Sequence, residues 1–215
     1  MNNTSVATSN IKIGMQIEVE NLSKRYFYDW IIRDFSHVFS AGSITGINGI
    51  NGSGKSTMIK LLSGYLSASK GKIEYKLEGT NIDRSMIYKQ LSLAAPYTDL
   101  IQEYDVKEMF NFHAKFKSFR IPLDYKTFLG LVHLEGNTHK QIQYYSSGMK
   151  QRLQLAFSIL SDSKLLLLDE PTSYLDQENK AWYYQLLNQQ SENRTIIIAS
   201  NDDSDFDICD EVIML

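Results

Sequence analysis

The residues most clearly suited to chemistry are those at 49–56, Gly-Ile-Asn-Gly-Ser-Gly-Lys-Ser, which fill the pattern G-x-x-x-x-G-K-[ST]. Glycines let the backbone wrap closely around phosphate oxygens, so that main-chain N–H groups point at the anion. Lys55 adds a positive charge, and the Ser56 hydroxyl is placed to bind Mg²⁺. The pattern predicts a binding site for a nucleoside triphosphate. The predicted nucleotide-binding residues of this phosphate loop are Gly49, Ile50, Asn51, Gly52, Ser53, Gly54, Lys55, Ser56 and Thr57.

The segments on either side of this loop have the pattern that a phosphate loop requires. Residues 43–47 read as a strand, and the apolar residues after Thr57 have helical spacing. The phosphates would therefore lie at a helix N-terminus, where the helix dipole favours negative charge. The alternative is an ordinary glycine-rich turn between a strand and a helix, and this flanking context disfavours it.

A second candidate site is the acidic pair Asp169 and Glu170, which follows four consecutive leucines at 165–168. A continuous apolar run of this length indicates a strand buried on both faces, and α/β sheets bind ligands at the carboxyl ends of such strands. We expect Asp169 to share Mg²⁺ with Ser56, and Glu170 to polarise an attacking water. A pair of acids in a solvated turn is the alternative. The preceding phosphate loop favours the catalytic interpretation.

The third segment of interest is residues 145–152, which contains Ser146, Ser147 and Gly148 ahead of a helical pattern. The two hydroxyls could simply cap that helix. Hydroxyls and a glycine at a helix N-terminus could also bind an anion, and the two roles are compatible. A phosphate loop with its own lysine hardly needs a second anion site in the same subunit. This site would therefore serve the nucleotide of another subunit.

The order of elements along the chain predicts an α/β fold. Alternating residues at 15–20 and 73–77, with a strand at 35–39, indicate a small antiparallel sheet of three strands. Asp105 and Glu108 have the spacing of a helix capping arrangement. The strands predicted for the main sheet are at 91–95, 165–168, 195–199 and 212–215, and the predicted helices at 105–119, 126–134, 149–160 and 178–190.

Length and composition limit the class of protein. The 215 residues fit one domain with an inserted subdomain, which we assign as 15–215 and 98–160, after a polar extension at 1–14. The net charge of −3 offers no basic field for nucleic acid, so we expect no nucleic-acid partner. A single cysteine, Cys209, fits a reducing compartment. With no signal-peptide pattern at 1–10 and no run of about 18 apolar residues, we expect a cytosolic soluble domain.

Together these segments resemble the ATP-binding cassette (ABC) family over essentially the whole chain. Residues 146–152 are similar to its signature motif, usually Leu-Ser-Gly-Gly-Gln, with Tyr145, Ser147 and Met149 replacing the Leu, the first Gly and the Gln. Residues 169–176 resemble its magnesium site and the loop that contacts a second subunit. Tyr26 stands where the family stacks an aromatic ring on adenine. The implied fold is a P-loop NTPase core with a small antiparallel β-subdomain and an inserted helical subdomain.

Two positions depart from the family pattern. Tyr97 falls closest to a glutamine that normally touches Mg²⁺ and relays movement to the membrane partner. Asn201 replaces the family's switch histidine after the strand at 195–199, and no other histidine lies near enough in sequence to fill that position. Both changes leave nucleotide binding little affected, but they predict slower hydrolysis or weaker coupling.

The resemblance implies an ATP-hydrolysing subunit of an ABC membrane transporter, with ATP and Mg²⁺ as cofactors. Glu170 and Asn201 would be catalytic, and Ser56 and Asp169 would hold the metal. Two subunits, identical or different, would sandwich ATP between the phosphate loop of one and residues 146–148 of the other. They would power transport, with export the expected direction, through a separate integral membrane permease, which would hold the two subunits on the inner face of the cell membrane.

Two other functions stay open at this stage. Tyr97 and Asn201 are compatible with a regulatory subunit that binds nucleotide and scarcely hydrolyses it, although the retention of Glu170 argues against this. A soluble ABC-type ATPase acting on ribosomes or DNA is the third candidate. Such proteins typically carry two cassettes or a long coiled-coil insertion, and this sequence has neither pattern.

Overall fold

The computed structural model describes residues 13–215, so most of the predicted extension at 1–14 lies outside the described residues. The strands are β1 Met15–Tyr26, β2 Asp29–Phe39, β3 Ile44–Asn48, β4 Lys70–Leu77, β5 Thr80–Ile82, β6 Leu91–Ala94, β7 Leu165–Asp169, β8 Thr195–Ser200 and β9 Glu211–Met214. The helices are α1 Lys55–Leu62, α2 Val106–Phe116, α3 Tyr125–Leu131, α4 Ser147–Leu160 and α5 Gln177–Gln189. The predicted α/β class is confirmed.

The larger sheet is parallel and has the strand order β6-β7-β8-β3-β9. Strands β7 and β8 are buried along their whole length, as their continuous apolar runs predicted. In the register, Asp169 at the end of β7 pairs with Ala199 of β8, and Ser200 pairs with Asn48 at the end of β3. Three neighbouring strands therefore end at the same edge of the sheet.

Side chains of β7 alternate between two cores, one on each face of the parallel sheet. Leu165 and Leu167 pack with α1 and the antiparallel sheet. Leu166 and Leu168 pack with the helices α2 to α5 on the other face. Because successive side chains of a strand point to opposite faces, one apolar strand contributes to both cores. Helix α1 is thus held between the two sheets.

The smaller sheet is antiparallel with the order β2-β1-β4-β5, so the prediction of three strands was wrong. The additional strand, β5, is only three residues long and pairs with β4. A two-residue turn at Glu78 and Gly79 connects them, with φ of 50° and 79°. Positive φ at both central residues is typical of the turns that join tight hairpins, and that turn is the signal that the prediction missed.

Helices α2, α3 and α4 lie between β6 and β7. The capping box at the start of α2 is confirmed, since Asp105 accepts from the Glu108 amide and Glu108 accepts from the Asp105 amide. The helix ends at Phe116 rather than near Phe119, because Lys117 adopts an extended conformation and Phe119 forms a bridge with Ser161. The bounds 98–160 of a helical subdomain remain a prediction. None of the helices within residues 13–215 has the length and apolarity to cross a membrane.

Candidate functional site

The candidate site forms where the loops after β3, β7 and β8 meet at the carboxyl edge of the parallel sheet. The phosphate loop follows β3, Glu170 follows β7 and Asn201 follows β8. Because β8 lies between β3 and β7, these three segments are neighbours although they are far apart in sequence. They line one cavity of about 500 Å³. Its lining residues are Tyr26, Ile31, Asn51, Gly52, Gly54, Lys55, Ser56, Thr57, Glu170, Ser173 and Asn201.

Gly54 explains why the phosphate loop needs a glycine directly before Lys55. It is the N-cap of α1 with a φ of 108°, a conformation that side chains disfavour. A Cβ atom added there would approach Ile31 Cγ2 to 2.9 Å. The turn therefore packs tightly against β2, and the first residues of α1 line the cavity.

Lys55 is the buried cation of the site, with 5% of its surface exposed. Its Nζ donates to the Gly49 carbonyl at 2.7 Å and to the Ile50 carbonyl at 3.4 Å. The same atom lies 3.3 Å from Oε1 of Glu170. The predicted phosphate-binding lysine and the predicted general base therefore form an ion pair at the cavity wall.

Asp169 lies beneath the cavity and is fully buried. Among residues 13–215, no donor lies at the usual hydrogen-bond distance and angle from either carboxylate oxygen of Asp169. Burial raises the pKa of Asp169, and the neighbouring Ser56 hydroxyl opposes this rise. Carboxylate and hydroxyl oxygens are ligands that Mg²⁺ accepts, so the buried carboxylate of Asp169 beside the Ser56 hydroxyl fits the predicted metal.

Glu170 adopts a left-handed backbone conformation, with φ of 50°. Its amide donates to the Ala199 carbonyl at 2.7 Å, which anchors the turn after β7 to β8. Such φ values are uncommon outside glycine and cost stability, and they often occur at functional sites. The turn directs the Glu170 side chain into the cavity, while that of Asp169 stays below it.

Asn201 follows β8, lines the cavity and contacts the phosphate loop. Its Nδ2 donates to Oδ1 of Asn51 at 3.1 Å. Other side chains accept the hydrogen bonds from the amides of the turn after Asn201. The Asp202 amide donates to the Ser200 hydroxyl, and the Ser204 amide donates to the Asp202 carboxylate. Asn201 is therefore not occupied in capping its own turn.

Tyr26 lies at the end of β1, with 41% of its surface exposed, and forms part of the cavity wall. Nζ of Lys24 lies 5.2 Å from its ring centroid. Ile31 and Ser173 also line the cavity, and the sequence reasoning did not identify either one. Ser173 lies within the acidic segment at 169–176, whereas no sequence pattern marks Ile31.

Tyr97 lies in the loop after β6, close to Asp169. Burial raises the pKa of Tyr97, and the charge of Asp169 raises it further. Nζ of Lys60 lies 4.0 Å from the centroid of the Tyr97 ring. The tyrosine therefore occupies space beside the predicted metal ligand, with a cation from α1 against its face.

Residues 146–148 do not line this cavity. Ser146 caps α4 by accepting from the Met149 amide at 3.2 Å, as one of the two interpretations predicted. Ser147 is exposed and lines a separate groove with Pro96 and Tyr174. A Cβ atom at Gly148 would approach the Tyr174 carbonyl to 3.1 Å.

The fold and the cavity together define a phosphate-loop nucleotide-binding protein of the α/β class. A family model described as ABC transporter matches residues 32–173. The uncharacterized ABC transporter ATP-binding protein YybJ of Bacillus subtilis is 33% identical over 196 residues, which cover 90% of this chain and 89% of that protein. The phospholipid-transporting ATPase ABCA3 of Mus musculus is 31% identical over 79% of this chain and 10% of its own length.

A solved structure, a bacterial ABC transporter cassette in dimeric form, has the same fold. It matches with a TM-score of 0.78 at 20% identity and covers 93% of this chain and 94% of that one. The chain belongs to the ABC transporter family, among its ATP-binding proteins.

Proposed function

We propose that this chain is the ATP-hydrolysing subunit of an ABC membrane transporter and works as a nucleotide-sandwich dimer. The observation that carries the proposal is the meeting of Lys55, Glu170 and Asn201 at one cavity beside the buried carboxyl of Asp169. A bound triphosphate would be held by the phosphate-loop amides and by the charge of Lys55. Ser56 and Asp169 would hold Mg²⁺, which when bound neutralises charge on the β- and γ-phosphates.

Glu170 would act as the general base. Its carboxylate lies 3.3 Å from Lys55, at the place where the terminal phosphate would approach the lysine. A phosphate that binds Lys55 would displace Glu170 from the ion pair and leave its carboxylate free to accept a proton from water. Asn201 would donate an amide N–H to developing charge on the phosphoryl group.

The separation of residues 146–148 from the cavity supports a dimer. Ser147 is exposed and lines a different groove, so its hydroxyl would reach a nucleotide only from a second copy or a related cassette. The partner would be identical or different. We propose that residues 97–103, beside the same groove, contact an integral membrane permease, which would hold the dimer at the cytoplasmic face of the membrane. Export is our proposed direction, from the resemblance to compact export cassettes.

The purified protein tests this function directly. Wild type should hydrolyse ATP in the presence of Mg²⁺, and Lys55→Ala should lose nucleotide binding. Glu170→Gln should bind ATP, lose turnover and accumulate an ATP-dependent dimer in size-exclusion chromatography. Ser147→Arg in that background should remove the dimer while the monomer still binds ATP, whereas Ser118→Arg, at another exposed serine, should not.

Two results would count against this function. Turnover of Glu170→Gln at the wild-type rate would refute the general base. ATP binding without hydrolysis by wild type would favour the regulatory subunit, the second candidate, which Tyr97 and Asn201 support by departing from the family pattern. Copurification with an integral membrane protein would distinguish the transporter ATPase and the regulatory subunit from a soluble factor acting on ribosomes or DNA.

A further inference from the structure

A buried carboxylate outside the cavity connects two of the loops that form it. Asp205 lies in the short helical turn after β8 and has none of its surface exposed. It does not line the cavity. Oδ2 of Asp205 accepts from Oγ1 of Thr172 at 2.9 Å and from Oγ of Ser200 at 2.6 Å. Its other oxygen accepts from the Tyr184 hydroxyl at 3.0 Å.

The two hydroxyls on Oδ2 belong to the segments that carry the proposed catalytic groups. Thr172 is two residues after Glu170, and Ser200 directly precedes Asn201. The Ser200 hydroxyl also accepts from the Asp202 amide at 3.0 Å, so it holds the backbone on both sides of Asn201. One carboxylate oxygen therefore joins the loop after β7 to the loop after β8.

In the described part of the chain, this carboxylate is buried with no cation beside it. No lysine, arginine or histidine among residues 13–215 lies within 4.0 Å of it as a salt-bridge partner. Burial raises the pKa of Asp205, and its three hydroxyl donors oppose that rise. A buried charge without a cation is expensive, so the hydrogen bonds to the two loops are what offset its desolvation.

We infer that Asp205 is a positioning residue for ATP hydrolysis, which holds the Glu170 loop and the Asn201 loop in one fixed relation. This inference rests on the proposed function. Because catalytic groups must be held close to their productive geometry, loosening both loops should lower the rate of the chemical step. Nucleotide affinity should change little, since Asp205 does not line the cavity.

Single-turnover ATP hydrolysis and ATP affinity, measured on the same preparations, test the inference. Asp205→Ala should lower the single-turnover rate by roughly tenfold or more, since small misplacements of catalytic groups can cost about a hundredfold. Its ATP affinity should stay within twofold of wild type. Asp205→Asn, which keeps one oxygen for the hydroxyls, should recover most of the rate. Asp207→Ala is the matched control, because Asp207 is exposed.

Amide hydrogen exchange supplies a readout that does not depend on activity. Asp205→Ala should accelerate exchange at both 170–173 and 200–202, and Asp207→Ala at neither. If Asp205→Ala does not fold, Thr172→Val and Ser200→Ala each remove one hydroxyl and should each lower the rate.

An unchanged rate per folded molecule in these variants, or faster exchange at 203–206 alone, would overturn the inference. If wild type itself does not hydrolyse ATP, the proposed function fails. Exchange at the two loops then still decides whether Asp205 joins them.

Discussion

The ion pair between Lys55 and Glu170 predicts a specific effect of Glu170→Gln on the nucleotide-free protein. Lys55 is almost fully buried, and its remaining contacts are two backbone carbonyls. The variant would leave the ammonium group in place and remove the only carboxylate within 4.0 Å of it among residues 13–215. We therefore expect the substitution to destabilise the free protein and to strengthen ATP binding.

The separation of 3.3 Å determines the size of this effect. With an effective dielectric constant of about 20, two unit charges at that distance attract by about 5 kcal/mol. Desolvation of both groups offsets much of this attraction, and hydrogen bonds to charged groups contribute roughly 1.5–3 kcal/mol net. Glu170 is partly exposed, which favours the lower value. For a chain of this length, about 1.5 kcal/mol corresponds to a fall in Tm of about 3–6 °C.

Thermal unfolding with and without ATP measures both effects. Glu170→Gln should melt several degrees below wild type without nucleotide, and ATP should raise its Tm by more than it raises that of wild type. Titrating both proteins with ATP in the presence of EDTA separates the contribution of Lys55 to ATP binding from that of the metal. Glu103→Gln, at an exposed position, is the control and should have the same Tm as wild type. Equal Tm values for Glu170→Gln and wild type, with equal ATP shifts, would refute the ion-pair argument.

Three other changes probe the site and the core. Asn201→Ala should lower single-turnover hydrolysis by about a hundredfold with Tm little changed, since it removes one donor from the transition state; a normal rate would end the catalytic assignment. Tyr97→Gln should lower the Mg²⁺ concentration needed for hydrolysis, because an amide oxygen is a better metal ligand than a neutral phenol; an unchanged Mg²⁺ titration would contradict this. Burial lowers the pKa of His113 from 6.5 to about 4. As the pH falls, His113 therefore takes up a proton in the unfolded chain before it does so in the folded protein. The free energy of unfolding should keep the full contribution of His113 above pH 6.5 and decrease as the pH drops toward 4. His113→Phe should flatten this dependence in urea unfolding, and an unaltered slope would exclude His113 as its source.

Local signals in the sequence were sufficient to predict most of the elements and to propose the site. The phosphate loop is a contiguous pattern, because adjacent backbone amides bind the same anion. The runs that became β7 and β8 were recognisable because a strand buried on both faces must be apolar throughout. The predictions missed the three-residue strand β5, placed the ends of α2 and α3 too late, and began β2 too late.

The arrangement of the site depended on tertiary structure. The order of β7, β8 and β3 in the sheet brings Glu170 to Lys55 and Asn201 to Asn51. Ile31 reaches the cavity because the antiparallel sheet packs over α1, and nothing in its local sequence marks it.

The sequence by itself therefore predicted the phosphate-binding groups, because the residues of a phosphate loop are contiguous. Only the fold decided which loops share a cavity and how Asp205 joins two of them, because those contacts link residues brought together by sheet order and burial.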